Sequence, residues 1–525
     1  MTYCDISFLG VFLPITIILY SICPTKKRPI VLLIASYIFF WSISGKLIVY
    51  LIASTLIIYL FSMIAKLNYK KRDEKLKTVE KDLKKETKLE YSNKLRKILI
   101  LCILIQIGIL IVLKYSGFIG NNINSLLKAI NIPIDLNIKN FIVPIGISFY
   151  TLQAVSYMVD VYKEVIIPDT NIGRLALYLS FFPQIMEGPI CRYRDTAEKL
   201  WSGNKITYKS LIYGIQRILF GLMKKMIIAD RLDIIVSNIF ENYSQYNGGI
   251  IASGMIFYTL QLYMDFSGVM DIVIGIGEIF GVRLSENFKQ PFLSKSVSEF
   301  WTRWHITLGA WFRDYIYYPV SMSKFGKKLL TKSKKKLGNY YGPLMTSIVA
   351  LFIVWICNGI WHGSAWNYIF FGLYHFTLIL IERLTEPITK KIIKKLKINT
   401  ANIIYSSIQI IKTTILVFFG ELFFRANGLK AGFYMFGKIF TNFSINGNVL
   451  KLGLDSKDFI IITIFTIIIF ITSIMKEKNI NIRDEIGKKN IIIRWSIYYA
   501  VILSIIIFGA YGKGYIPVNP MYAQF

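Results

Sequence analysis

The sequence predicts an all-α polytopic membrane protein, on three observations. Apolar residues make up 54% of the 525-residue chain, an excess that a soluble core does not require. Continuous apolar stretches such as 98–113, 459–475 and 495–510 approach the roughly 17–25 residues that cross a bilayer. About ten or more such runs recur, so they are read as membrane spans rather than as single buried helices. The third observation is charge. The net value is +31, and the basic residues sit in loops between apolar runs, which is the positive-inside pattern. That distribution argues against a nucleic-acid partner and for a lipid membrane.

In chain order, 5–23 and 30–65 supply three spans, with a break near 42–46. The basic residues Lys26, Lys27 and Arg28 follow the first apolar run, which reads as a retained span rather than a cleaved leader. Segment 66–97 holds 13 Lys/Arg and 6 Asp/Glu and is predicted to be a charged cytoplasmic helix or hairpin. Segment 98–116 spans outward, and 117–140 is polar, Asn-rich and external. From 144 to 225, and again from 261 to 318, Gly, Pro and charged residues interrupt the apolar runs. Irregular backbone survives at membrane depth only where protein or a water-filled cavity surrounds it, so short, tilted or re-entrant helices are expected there. The basic blocks 324–336, 383–397 and 476–494 are assigned to the cytoplasm. The chain must cross an even number of times between the first two. The apolar runs 343–357 and 366–381 fit a hairpin, with His362 at its turn or within the membrane. Segments 403–424, 458–475 and 495–510 then alternate, leaving a tail, 512–525, outside. One membrane domain over 1–525 is expected, and no internal repeat suggests an inverted-repeat transporter.

Five cysteines are scattered without a CxxC, which gives neither a disulfide framework nor a metal site. Only three histidines occur. Imidazole moves protons near neutral pH, and ionisable groups at membrane depth are functional-site candidates. His305 lies in Glu299-Phe-Trp-Thr-Arg-Trp-His305, and His362 in Asn358-Gly-Ile-Trp-His362-Gly-Ser. If 299–318 is helical, Trp301, Trp304 and His305 share a face, with Arg313 and Asp314 further along. The bland alternative is an interfacial aromatic belt. The small residues around His362 permit close approach by a backbone or ligand, or a plain helix–helix contact. His375 is read as a packed core histidine. Asp265, in Asp265-Phe-Ser267-Gly268 after an apolar helix, lines a tunnel or locks helices together, with the structural role favoured. Arg192 and Arg194 either meet an anionic group on a donor or lipid or anchor their segment at the interface, with the anchoring role favoured.

These residues also resemble a family. Pro144-Ile-Gly-Ile-Ser-Phe-Tyr-Thr-Leu-Gln153, Phe181-Phe-Pro-Gln184, Glu187-Gly-Pro189 and Thr259-Leu-Gln-Leu-Tyr-Met-Asp-Phe-Ser-Gly268 carry the likeness. So do Glu286-Asn287, Arg303-Trp-His305, Trp311-Phe-Arg-Asp-Tyr315, Ile360-Trp-His-Gly363 and Phe423-Phe-Arg-Ala426. In this order the chain resembles the membrane-bound O-acyltransferases, in their bacterial alginate O-acetyltransferase branch. The resemblance implies a ring of about 11–13 tilted and re-entrant helices around a thin centre with a transmembrane tunnel. It implies catalytic roles for His305 and His362, with Trp304, Arg313, Asp314, Asn358, Trp361 and Asp265 as tunnel or supporting residues. The tail keeps the branch's Tyr-x-x-Phe pattern at Tyr522–Phe525, with Pro520-Met521 in place of Phe-Ile. A tyrosine hydroxyl can carry an acyl group, so Tyr522 is a candidate acyl relay.

The expected function is transfer of acetyl groups from a cytoplasmic donor, acetyl-CoA, across a bacterial plasma membrane to an extracellular or cell-wall polysaccharide, with no bound cofactor or metal. Segment 425–457 is only about 33 residues, too short to hold a polymer. A separate extracytoplasmic, hydrolase-like acetyltransferase partner is therefore implied by the resemblance. D-alanyl transfer to teichoic acid and a transporter without covalent chemistry are the alternatives.

Overall fold

The computed structural model describes residues 1–136, 141–444, 449 and 452–511. Among them every regular element is helical. Among the described residues six segments are long and apolar enough to cross a membrane, and the first, Thr25–Thr78, contains two α-helices. The chain forms two compact units, 1–214 with 273–285, and 215–272 with 286–525.

The first unit holds α1 (Leu13–Ile22), α2 (Arg28–Ser44), α3 (Ile48–Thr78), α4 (Lys84–Leu110), α5 (Ser116–Ala129), α6 (Ile147–Tyr162), α7 (Ile172–Ser180) and α8 (Tyr193–Trp201). The predicted break near 42–46 is the α2–α3 corner, where Gly45 takes φ 52°, a conformation that costs glycine little. The charged segment is a helical hairpin of α3 and α4. Inside the apolar part of that pair, the Ser54 hydroxyl donates to Gln106 Oε1 at 3.0 Å, so each buried polar side chain satisfies the other. The first part of the Asn-rich segment after α4 forms the helix α5. Tyr3, Phe8, Phe39 and Phe182 pack ring on ring. The Tyr3 hydroxyl donates to the Phe182 carbonyl at 2.9 Å.

Helix α9 (Tyr208–Leu222) leads into the second unit, followed by α10 (Asp230–Glu241), α11 (Gly248–Ile279), α12 (Val297–Arg303), α13 (Ile306–Phe312) and α14 (Tyr318–Ser321). Then come α15 (Lys324–His362), α16 (Trp366–Lys395), α17 (Ile403–Arg425), α18 (Leu429–Thr441), α19 (Ser456–Glu477), α20 (Ile482–Gly487) and α21 (Ile491–Phe508). Two expectations are corrected here. Residues 261–279 are not interrupted. They complete the 32-residue α11, because Asp265 and Asp271 are neutralised by Lys225 and Lys224 on the neighbouring segment. And 299–318 is not one helix. It divides between α12 and α13 at Trp304-His305, where Trp304 is extended and His305 is left-handed.

The α15–α16 hairpin places His362 as the last residue of α15. Its two helices meet on glycine. A Cβ at Gly359 would lie 2.5 Å from the Tyr368 carbonyl oxygen, so only hydrogen fits. Upstream, α15 is broken at Gly338 (φ 76°) into a basic limb and an apolar limb.

Candidate active site

The break at His305 is made from outside the local sequence. Asn287 is buried, and its Oδ1 accepts the Thr307 N–H at 3.1 Å and the Thr307 hydroxyl at 2.9 Å. The Asn287 carbonyl takes the Ile306 N–H at 3.0 Å. One side chain therefore caps the start of α13 in the way a helix N-cap does, although it lies 18 residues upstream. His305 is left in the left-handed region, φ 48° and ψ 49°. Few residues other than glycine adopt this conformation, and histidine is among those that tolerate it best.

His305 Nδ1 lies 3.3 Å from the same Asn287 Oδ1. That oxygen can only accept, so Nδ1 carries the hydrogen and Nε2 carries the lone pair. The ring is 3% exposed and lies outside the six apolar spans. Burial pushes its pKa well below the usual histidine range, so the imidazole is neutral at physiological pH. A neutral ring with a free-electron-pair nitrogen is a proton acceptor.

Both sequence-predicted histidines reach one indole. Trp361 stands edge-to-face with His305 at 5.5 Å and with His362 at 5.1 Å between ring centroids. His305 also packs on Phe266 at 4.9 Å, and His362 on Phe424 and Phe371 at 5.1 and 5.8 Å. Phe371 in turn meets His375 at 4.7 Å. All three histidines thus belong to one continuous aromatic cluster.

Within it His375 has a holding role. Its Nδ1 accepts the Trp301 indole N–H at 3.2 Å, and it is fully buried. Trp301 lies on α12, whose N-terminus is bound by Glu382 of α16. The Glu382 carboxylate accepts the N–H groups of Val297 and Ser298 at 2.7 and 3.0 Å and the Ser298 hydroxyl at 2.9 Å. A carboxylate at a helix N-terminus satisfies free donors and opposes the positive end of the helix. The chain of contacts from Glu382 and His375 fixes α12, which ends at Arg303, two residues before His305.

The other expected site residues divide. Trp304 is buried against Phe300, Phe288 and Tyr263, beside His305. Asn358 is buried one turn before His362. Arg313 donates to its neighbour Asp314 at 3.0 Å, with its side chain 57% exposed. Asp265 lies inside α11 and pairs with Lys225 at 2.8 Å, and Lys225 also holds Asp230 at 2.6 Å. These pairs tie α11 to the segment that follows α9. Tyr522 lies outside the described residues. Asn287 and Glu382 are the residues that motif reading did not single out for the site. Asn287 stood beside Glu286 in the sequence, but only the fold shows that it sets the His305 backbone.

The chain matches the sequence model described as MBOAT, membrane-bound O-acyltransferase family, over residues 35–333. That range includes His305, and His362 lies beyond it. It is 30% identical over 443 residues to a protein of Pseudomonas syringae pv. tomato named probable alginate O-acetylase AlgI, a match covering 84% of this chain and 75% of that one. It is 28% identical over 319 residues to the peptidoglycan O-acetyltransferase of Helicobacter pylori, 56% of each chain. It is 31% identical over 258 residues to the teichoic acid D-alanyltransferase of Bacillus subtilis, 48% of this chain and 62% of that one.

Proposed function

Because the chain belongs to the membrane-bound O-acyltransferase family, we propose that it carries acetyl groups from a cytoplasmic thioester, acetyl-CoA, toward a polysaccharide outside the membrane. The protein is a multi-pass membrane enzyme of acyl transfer. The observation that carries the site assignment is the Trp361 indole packed against both His305 and His362.

In this reading His305 Nε2 takes the proton from an acceptor hydroxyl as its oxygen attacks the thioester carbonyl. The C–O bond forms, the C–S bond breaks, and the thiolate leaves, taking up a proton. Asn287 holds the imidazole in the tautomer that makes this possible. His362, packed on the same indole, assists the proton movement or orients the carbonyl. The acceptor at this step is Tyr522 or a hydroxyl of a partner. A hydrolase-like acetyltransferase outside the membrane then completes delivery to the polymer.

D-alanyl transfer is the second reading, favoured by the likeness to the teichoic acid enzyme. One experiment addresses both. Surface polymers from cells with the gene deleted are complemented with wild-type or His305→Ala protein at matched abundance and weighed by mass spectrometry. Acetyl loss on deletion, restored by wild type and not by His305→Ala, is the expected result. Loss of alanine esters instead would replace acetyl by D-alanyl. Full acylation by His305→Ala would remove the catalytic assignment.

A further inference from the structure

A second cluster, in the same unit, is built of charges. Between α9 and α10 the helix widens to a π-helical stretch, Met223–Ala229, a local distortion that recurs at functional sites. It carries Lys224, whose ammonium meets Asp271 at 2.7 Å and the Ser267 hydroxyl at 3.2 Å. About two helical turns earlier, Arg217 donates to Asp271 at 3.0 Å and grips Glu286 with both terminal nitrogens at 2.7 and 2.6 Å. Lys476, at the end of α19, closes the group. Its ammonium lies 4.8 Å from the centre of the Phe220 ring, and the Lys224 ammonium lies 4.7 Å from the same centre. Two like charges share one aromatic ring. Three cations face two carboxylates, and Lys476 has no carboxylate within ion-pair distance among the described residues.

The cluster opens outward. Lys476 and Glu286 are exposed, whereas Lys224 and Asp271 are buried. Lys476 begins the basic block 476–494, which the positive-inside pattern assigns to the cytoplasm. Inward, an aromatic wall connects it to His305. Lys224 lies 6.0 Å from the Tyr263 ring. Tyr263 meets Phe288 and Trp304, Phe288 meets Phe266, and Phe266 meets His305. A surplus of cations in a cluster that reaches the surface and a neutral base beyond it, joined by apolar rings, match a donor with an anionic head and an uncharged reactive arm.

We infer that Arg217, Lys224 and Lys476 form an anion site that holds the phosphate groups of the acyl donor. The choice of acetyl-CoA as that donor rests on the acetyl-transfer reading; the anion site itself does not. Phosphate oxygens accept charge-assisted hydrogen bonds from the ammonium and guanidinium groups. The exposed Glu286 competes with them for Arg217, so it sets how tightly the anion is held.

The test is calorimetric binding of coenzyme A to the full-length protein in phosphatidylcholine nanodiscs. Lys476→Gln, a surface change, weakens binding about tenfold. Glu286→Gln releases Arg217 and tightens it severalfold. In steady-state transfer, the KM for acetyl-CoA divided by that for S-acetylpantetheine, which lacks phosphates, rises in Lys476→Gln. Unaltered coenzyme A binding in both variants overturns the site. Equal loss with both thioesters overturns the phosphate assignment. If phosphatidylglycerol abolishes the binding difference between wild type and Lys476→Gln, the cluster holds lipid headgroups and the inference also fails. A wild-type protein that binds coenzyme A with this variant pattern, yet transfers no acetyl group, would sink the acetyl reading and leave the anion site standing.

Discussion

Asn287 governs more of the site than its size suggests. It stops α12 from running into α13, accepts three hydrogen bonds through one oxygen, and sets the His305 tautomer. Leucine at this position keeps most of the volume and strands those donors, each at a cost of about 1–3 kcal/mol. Asn287→Leu is expected to lower the acyl-transfer rate on the order of 10–100-fold, with a lower thermal midpoint; wild-type rates would show that His305 orients itself. A second expectation concerns pH. Burial depresses the His305 pKa, so the neutral, base-competent form persists as pH falls through about 6.5, the value for a free imidazole. Turnover at saturating donor should stay flat between pH 8 and 6. An acidic limb centred near 6.5 would mean that His305 titrates as an exposed ring. At this scale sequence reading singled out His305, His362 and Trp361, because rare imidazoles in aromatic frames stand out, and the fold packs the three rings together. It missed the αL backbone, because that is imposed by a residue 18 positions away and leaves the local apolar period helix-like.

Among the elements, the α15–α16 hairpin and α12 carry the site. The hairpin was legible, since two apolar runs between two basic blocks must return, and His362 falls at its turn. Its close approach depends on Gly359. Gly359→Leu is expected to destabilise the protein by about 1–3 kcal/mol through overpacking, lowering both the thermal midpoint and the activity. A variant with full stability and no activity would point to contact with substrate at Gly359 instead. The attachment of α12 to α16 through Glu382 and His375 was not legible. Glu382 stands beside a basic block and reads as ordinary surface charge, and the pairing crosses more than eighty residues. His375 was correctly set apart as a packed histidine, although its hydrogen bond to Trp301 makes it a support of the His305 segment.

For the whole molecule, composition and charge alternation were enough for an all-helical membrane protein, because bilayer thickness fixes the length of apolar runs; the enzymatic reading came only from the motifs that resemble the family. The interrupted middle region was harder. Gly, Pro and charge signalled broken helices, yet α11 remains continuous because its carboxylates meet lysines on a neighbouring segment, which no local window contains. The C-terminal Tyr522 belongs to this scale, since a relay matters only if the acyl group must travel beyond the membrane enzyme. Tyr522→Phe keeps the ring and removes the hydroxyl. It is expected to abolish polymer acetylation in cells while retaining cleavage of the donor thioester in purified protein. Full polymer acetylation by this variant would end the relay proposal.

The left-handed backbone of His305 decides how an inert enzyme for trapping experiments should be made. Alanine removes the imidazole but keeps a Cβ in a conformation that costs an ordinary residue about 1–2 kcal/mol. Asparagine visits that conformation readily. His305→Asn is therefore the substitution suited to capturing a bound, unreacted thioester: it removes the base and leaves the turn that presents it at rest.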